Sequence, residues 1–253
     1  RLVPFSTYRD MFNGNEANEF NVESLIEIPL TAEPIGANGQ ITAELSAGTW
    51  HGMIQAPSVV SGTGAPAAGG WSNVFPHQKN LARFGYNQPH YFGESVTVPN
   101  VSNVRAGYVE ESLALRSGNT VDPRLWINLL QPYVDKVGSE TISHFADGVQ
   151  AQIPAWSFKK FANLQGRQTS NRVFGANFYL LRMADVYLLY AEACAKTGEN
   201  SLALEYINKV KRRAYNLPVD SPSAVDYASL TAKTLASDPV LGNSPLMYER
   251  LVE

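Results

Sequence analysis

Phe178-Tyr-Leu-Leu-Arg182-Met-Ala-Asp185-Val-Tyr-Leu-Leu-Tyr190-Ala-Glu192-Ala-Cys-Ala-Lys-Thr-Gly198, followed by Glu-Asn-Ser201-Leu-Ala-Leu-Glu-Tyr-Ile-Asn208-Lys-Val-Lys-Arg-Arg213-Ala214, decides how this chain is read. In the first half, apolar or small residues at 181, 184, 188, 191 and 195 recur three or four apart, the spacing of one helix face. Arg182, Asp185 and Glu192 interrupt an otherwise apolar surface, which predicts a helix buried on more than one side. Gly198 supplies a left-handed cap, and Asn200 or Ser201 can open a second helix. That helix aligns Leu204, Ile207, Val210 and Ala214 on one stripe, with Lys209, Lys211, Arg212 and Arg213 near its C-terminus, where cations complement the helix dipole. Two helices joined so closely form an antiparallel hairpin. Tyr187, Tyr190, Ala191 and Cys194, then Ala203 and Ile207, fit the tetratricopeptide helix-turn-helix unit, a pattern that many helical hairpins would pass.

Composition narrows the class. With 253 residues the chain is long enough to bury a substantial core. A formal net charge of −3, with both signs scattered, leaves no electrostatic footprint for nucleic acid. The four histidines lack metal-ligand spacing, so neither metal nor cofactor is expected. The single Cys194, on the apolar helix, reads as a small core residue. No run approaches the ~20 apolar residues of a membrane span, and no signal peptide opens the chain.

Outside the hairpin, order alternates with long polar stretches. Leu25, Ile26, Ile28 and Leu30 suggest a short extended segment ending near Pro29. Residues 31–76 are rich in Gly, Ala, Pro and Ser, and four glycines within 61–70 preclude a stable helix there. The length of this stretch makes it a candidate binding loop. Gly70-Trp71-Ser72-Asn73-Val74-Phe75-Pro76 leads into a predicted helix over 78–84, with Pro76 in its first turn. Phe84-Gly-Tyr86-Asn87-Gln-Pro-His-Tyr91-Phe92 is the densest aromatic cluster. Residues 93–121 read as loop and short extended pieces. After Asp122-Pro123-Arg124, Leu125, Trp126, Leu129 and Leu130 give an apolar face, and Trp126 and Trp156 are expected in the core. Residues 218–241 form a connection with a predicted short helix near 229–235, and a final helix begins at Pro245.

Three separate stretches resemble the SusD/RagB family of outer-membrane nutrient-binding lipoproteins of Bacteroidetes. They are Asp122-Pro123-Arg124-Leu125; Arg182-x-Ala-Asp185-Val with Tyr190-Ala-Glu192-Ala and Ala203-Leu-x-x-Ile-Asn208-x-Val-x-x-Arg213-Ala; and Glu249-Arg250-x-x-Glu253. The resemblance implies a mostly α fold, with tetratricopeptide-type hairpins supporting long loops and short extended segments. The chain would be part of one such domain, with 31–121 as the variable, ligand-selecting region and 178–214 as the hairpin. It also implies a cell-surface lipoprotein that captures a glycan and passes it to a SusC-like TonB-dependent transporter, without hydrolysing it. The family's lipid-modified N-terminal Cys, early helices and closing region have no counterpart here, so the chain is expected to be a piece of a longer protein.

Asp185 and Glu192, seven residues apart, superficially suggest a glycosidase pair. Ion pairing with Arg182, Arg212 and Arg213 to fix the packing is the better account, because buried charges are normally paired. The glycine run 61–70 lacks the Lys-Ser/Thr of a phosphate loop. A binding site needs less: sugar rings stack on aromatic faces while amides and charged groups hold hydroxyls, as in other small-ligand pockets. The candidates are Trp50, Trp71, Tyr86, Tyr91 and Phe92, with Asn87 among their polar neighbours, because loops are where binding residues concentrate. Each could instead anchor a loop. The alternatives to glycan capture are a protein-interaction scaffold, using the hairpin groove, and a peptide-capturing receptor.

Overall fold

The computed structural model describes residues 1–30, 76–89, 104–137, 140–141, 156–161 and 176–253. In chain order these form α1 (Phe5–Tyr8), a 3-10 turn at Arg9–Phe12, β1 (Ser24–Ile28), α2 (Gln78–Arg83), α3 (Tyr108–Ser117) and α4 (Leu125–Asn128). The short strands β2 (Leu129–Leu130), β3 (Lys136–Val137), β4 (Glu140–Thr141), β5 (Ser157–Phe158) and β6 (Phe178–Arg182) follow, then α5 (Met183–Lys196), α6 (Asn200–Ala214) and α7 (Pro245–Val252). Helices dominate, and the strands pair only two by two: β1 with β6, β2 with β5 and β3 with β4, all antiparallel.

The deciding stretch is a helical hairpin, with one correction. Helix α5 starts at Met183, because 178–182 is a strand bonded to β1 in the register Ile28↔Phe178 and Ser24↔Arg182. The apolar period ran through both elements, but the Asp185 carboxylate accepts the Arg182 backbone N–H at 2.9 Å, closing the first turn only there. Ala184, Leu188, Ala191 and Cys194 then form the buried face of α5, against Ala203, Ile207, Val210 and Ala214 of α6. Small residues at 184, 191, 203 and 214 allow close approach.

The connection follows from backbone geometry. Gly198 sits at φ +86, Glu199 N–H donates to Cys194 O at 2.9 Å and Gly198 N–H to Ala195 O at 3.3 Å, a Schellman cap. Asn216, at φ +55, ends α6 the same way, with Leu217 N–H bonded to Arg212 O at 2.9 Å. Helix α6 opens at Asn200 with no side-chain cap, so neither Asn200 nor Ser201 plays the predicted capping role.

Helix α7 starts with Pro245 in its first turn and packs on both hairpin helices. Tyr248 and Val252 join Leu125, Leu129, Trp156 and Tyr227 in the same core. A satellite cluster of Val3, Tyr8, Met11 and Phe12 lies under α1, where Phe12 meets Phe161 and Tyr179 edge-on.

Three further expectations change. Residues 108–117, read as loop, are a helix; Tyr108 and Ser112 are its buried residues, so no apolar stripe announces it. The predicted helix near 229–235 is a run of turns, with Ala232 N–H bonded to Ser229 O. Helix α2 begins after His77, not in a turn holding Pro76: the His77 imidazole Nδ1 caps it by accepting Lys79 N–H at 3.1 Å. Gly85 at φ +87 closes it, with the Thr120 carbonyl 2.5 Å from where a Cβ would stand.

Gly85→Ala combines left-handed strain with a backbone clash, whereas Gly198→Ala meets nothing within 4 Å. Urea unfolding should show a loss of about 1–2 kcal/mol for Gly198→Ala and a clearly larger one for Gly85→Ala. Equal losses would contradict this geometry.

Candidate functional site

The family-like charged residues converge in the interior. The Arg124 guanidinium is fully buried and forks onto Asp122, with Nε to Oδ1 at 2.9 Å and Nη2 to Oδ2 at 2.7 Å. Its Nη1 reaches Glu249 at 2.7 Å and Glu253 at 3.3 Å, so the Asp-Pro-Arg turn is clamped to α7. Glu253 also receives Arg182 Nη1 at 3.1 Å and, more closely still, Arg213 Nη2. On the far side Glu23, just before β1, takes Arg182 at 3.2 Å and Arg213 at 3.0 Å and accepts Val3 N–H at 2.8 Å. Tyr248 and Tyr227 hydroxyls donate to Asp122 and Glu249. Four carboxylates thus face three guanidiniums and one amine, that of Lys160, which donates to the Glu253 carbonyl at 2.7 Å and to Tyr8 Oη at 3.0 Å.

These neighbours set the proton affinities. Burial pushes the Glu253 carboxyl up, but Arg213, Arg182, Arg124 and Lys160 together hold it well below the usual range. Burial dominates at Glu23 and Glu249, which are raised. Burial, then Arg182 and Arg213, lower the Lys160 amine to about 7, against the pull of Glu253 and Glu23.

The expected pairing holds in one case only. Asp185 and Glu192 are partly exposed at the margin of the cage: Asp185 caps α5 and pairs with Arg182 at 3.8 Å, as expected, whereas Glu192 accepts Lys196 at 2.8 Å and Arg250 at 2.7 Å. Arg212 forks onto Glu205 and Asp226 instead. Asn208 fixes the 218–241 connection through both halves of its amide, giving Nδ2–H to Tyr227 O at 3.1 Å and accepting Tyr227 N–H at 2.8 Å. Glu23 was missed, since nothing in its local sequence marks it as the partner of two arginines more than 150 residues away.

Of the candidate binding residues, Trp50, Trp71, Tyr91 and Phe92 lie outside the described residues. Tyr86 is 7% exposed and packs edge-on against Trp156 at 4.9 Å and Trp126 at 6.1 Å, while its hydroxyl lies 3.1 Å from Gln131 Nε2. It belongs to the core, so its ring offers no open face to a ligand. Asn87, one residue on, is exposed, its amide bonded to Gly85 O at 3.3 Å. Trp156 is buried and Trp126 partly buried, stacked on it, as expected for core residues.

Beside the cage opens a cleft of about 340 Å³, walled by Phe84, Phe158, Phe161, Leu129 and Leu251, with Asn80, Asn128, Lys160 and Glu253 as its polar groups. Among the described residues no group of acids, histidines or cysteines could hold a metal ion, and no helix is long and apolar enough to cross a membrane.

A model of the SusD family matches residues 38–234. The chain belongs to the SusD family. The fold agrees with that of SusD members: a SusD-like protein from Bacteroides fragilis NCTC 9343 superposes with a TM-score of 0.61 at 16% identity, over 100% of this chain and 44% of that one. Surface glycan-binding protein A from Bacteroides thetaiotaomicron gives 0.53 at 18% identity, over 100% and 43%. The chain therefore spans less than half the length of these SusD-fold proteins. No curated protein matches it.

Two predictions follow from the cage geometry. Arg213→Met, which takes one guanidinium from both Glu23 and Glu253 and leaves buried charge under-compensated, should lower unfolding free energy by about 3–5 kcal/mol, while Asp185→Ala should lose about 0.5–2 kcal/mol, a cap's worth; the reverse order in urea melts would place the anchor at Asp185. Secondly, Lys160 gives up its proton near 7 when folded but near 10.4 when unfolded, and burial lowers Lys159 and Lys211 in the same sense. Between pH 7 and 9 these lysines bind more protons in the unfolded chain than in the folded one, so their contribution to stability rises with pH. Urea midpoints should climb across that window, and Lys160→Met should remove part of the climb.

Proposed function

We propose that this chain is the scaffold-bearing portion of a cell-surface glycan-binding protein that captures an oligo- or polysaccharide, leaves it chemically unchanged, and passes it to a SusC-like TonB-dependent transporter in the outer membrane. SusD-family membership is the observation that carries this reading. The fold shared with surface glycan-binding protein A supports it, and so does the use of the charged motif residues. Asp122, Arg124, Arg182, Arg213, Glu249 and Glu253 are bonded to one another inside the frame, an arrangement suited to holding loops rather than to acid–base chemistry. Ligand contact is assigned to the aromatics Trp50, Trp71, Tyr91 and Phe92, which lie outside the described residues, and to Asn87, whose amide is exposed. A lipid anchor on the longer protein would hold it at the cell surface.

A second reading, a protein-interaction scaffold, is favoured by one observation. β1 and β6 present Leu25, Ile26, Ile28, Phe178 and Leu180 to solvent, an apolar surface of the kind that marks protein contacts.

Intrinsic tryptophan fluorescence of the full-length protein, titrated with a panel of plant, host and microbial polysaccharides, tests the first reading. A saturable change with one glycan class is expected, weakened at least about tenfold, or roughly 1.4 kcal/mol, by Trp50→Ala or Tyr91→Ala with the melting temperature unchanged. No response across the panel from a folded sample would overturn glycan capture and favour the scaffold.

A further inference from the structure

The cleft beside the cage is walled by the frame itself, and its walls are bonded to one another. Phe158 on β5 pairs with Leu129 on β2, so their side chains share one face of that ribbon. The Asn128 carbonyl accepts the N–H groups of Lys159 and Lys160 at 2.8 and 3.3 Å, and the Phe161 ring stands edge-on to Phe12 with centroids 5.1 Å apart, which together hold the turn 158–161 in place. Asn80 and Phe84 stand four residues apart, on one side of α2 and its cap. The Phe84 carbonyl accepts Asp122 N–H at 2.8 Å, joining that wall to the Asp-Pro-Arg turn. Leu251, 43% exposed, stands on the side formed by α7. A volume of about 340 Å³ lies at the small end of ligand pockets.

The polar groups of the walls select the kind of ligand. The Asn128 amide reaches α7, its Nδ2–H donating to Val252 O at 3.4 Å between the lining residues Leu251 and Glu253, and its Oδ1 has no partner among the described residues. Asn80 accepts Arg83 Nη1 on Oδ1 at 3.0 Å, and its Nδ2 is likewise uncommitted among the described residues. One free acceptor and one free donor suit hydroxyls, which both donate and accept. No charge is on offer, because arginines of the cage engage Glu253, while Tyr8 and the Glu253 carbonyl engage Lys160. An ionic ligand would enter without a counter-charge, and a wholly apolar one would leave both amides unpaired.

We propose that this cleft is a sugar subsite of the frame, which takes one neutral pyranose ring with its C–H face against Phe158 and Phe161 and its hydroxyls on Asn80 and Asn128. The ligand class rests on the glycan-capture reading, but the subsite uses none of the aromatics assigned there. Its walls are already bonded together, so binding orders little of the protein.

The test applies saturation-transfer NMR to the full-length protein, with the methyl glycosides of glucose, galactose, mannose and xylose as probes, beside the polysaccharide titration. At least one methyl glycoside should give saturable transfer. Leu251→Trp, which sets a large ring in the cleft from an exposed position, should abolish that signal with the melting temperature unchanged. Asn80→Ala should weaken binding about two- to tenfold, as for one lost hydrogen bond. Methyl glucuronide, which brings a carboxylate, should bind at least about tenfold more weakly than methyl glucoside. No transfer from any methyl glycoside, or transfer that survives Leu251→Trp, would overturn the subsite; if polysaccharide still bound, glycan capture by the loops would stand. Unchanged affinity in Asn80→Ala would overturn the placement whatever Leu251→Trp does, and equal affinity for the glucuronide would overturn the neutral ring. Transfer lost in Leu251→Trp, from a protein that binds no polysaccharide, would support the subsite and overturn capture by the loops.

Discussion

The carboxylate of Glu253 lies among Arg124, Arg182 and Arg213, and the arrangement of the whole frame follows from that meeting. Burying three guanidiniums is unfavourable unless each finds an anion and enough acceptors. The acceptors are four carboxylates: Asp122 beside α4, Glu249 on α7, Glu253 at its C-terminal cap, and Glu23 at the entry to β1. Each arginine consequently ties together elements that are far apart in sequence. Arg213 connects α6 to β1 and α7, and Arg124 connects α4 to α7. The apolar core makes these helices stick; the charges determine which residues face which.

Specificity of this kind differs from stability. An interior of well-packed leucines could match the cage energetically, and replacing buried ion pairs by apolar residues is often neutral or better. What apolar packing supplies less well is a single register. A helix that slid by one turn would take Glu249 and Glu253 away from Arg124 and leave buried charges unneutralised. Loops such as 84–89 therefore leave a frame whose elements have little freedom to slide.

Much of this was legible in the sequence, although not uniformly. The hairpin announced itself through spacing and through Gly198, because both are local signals. Asp122-Pro-Arg124, Arg182, Arg213 and Glu249-x-x-x-Glu253 could be singled out by resemblance, but their mutual contacts could not, since a sequence shows which charges exist and not which anion meets which cation. Asp185 does pair with Arg182, its neighbour three residues back, but Glu192 meets Lys196 and Arg250 rather than Arg182, Arg212 or Arg213; proximity along the hairpin was the only guide. Helix α3 escaped because its apolar residues are spread around it, with Leu113 half exposed. The start of α5 was misplaced because a strand alternating in steps of two and a helix with steps of three and four can share a few apolar positions. Tyr86 looked like a surface ring beside glycine and asparagine, yet Trp126 and Trp156, distant in sequence, cover it.

The hydroxyl of Tyr8 bonds to the carbonyl of Glu253 at 2.5 Å, joining residues 245 positions apart. Contacts this distant require closing a very large loop before they return any free energy. On a ribosome, Arg124, Arg182 and Arg213 all emerge before α7 does, so in that interval the arginines have Asp122 and Glu23 but lack Glu249 and Glu253. The hairpin can form early from its own residues, but the interior stays unsealed until α7 arrives. Within this part of the protein α7 thus acts as a latch: it brings the two remaining carboxylates to Arg124, Arg182 and Arg213 and so fixes which residues of the earlier elements face one another.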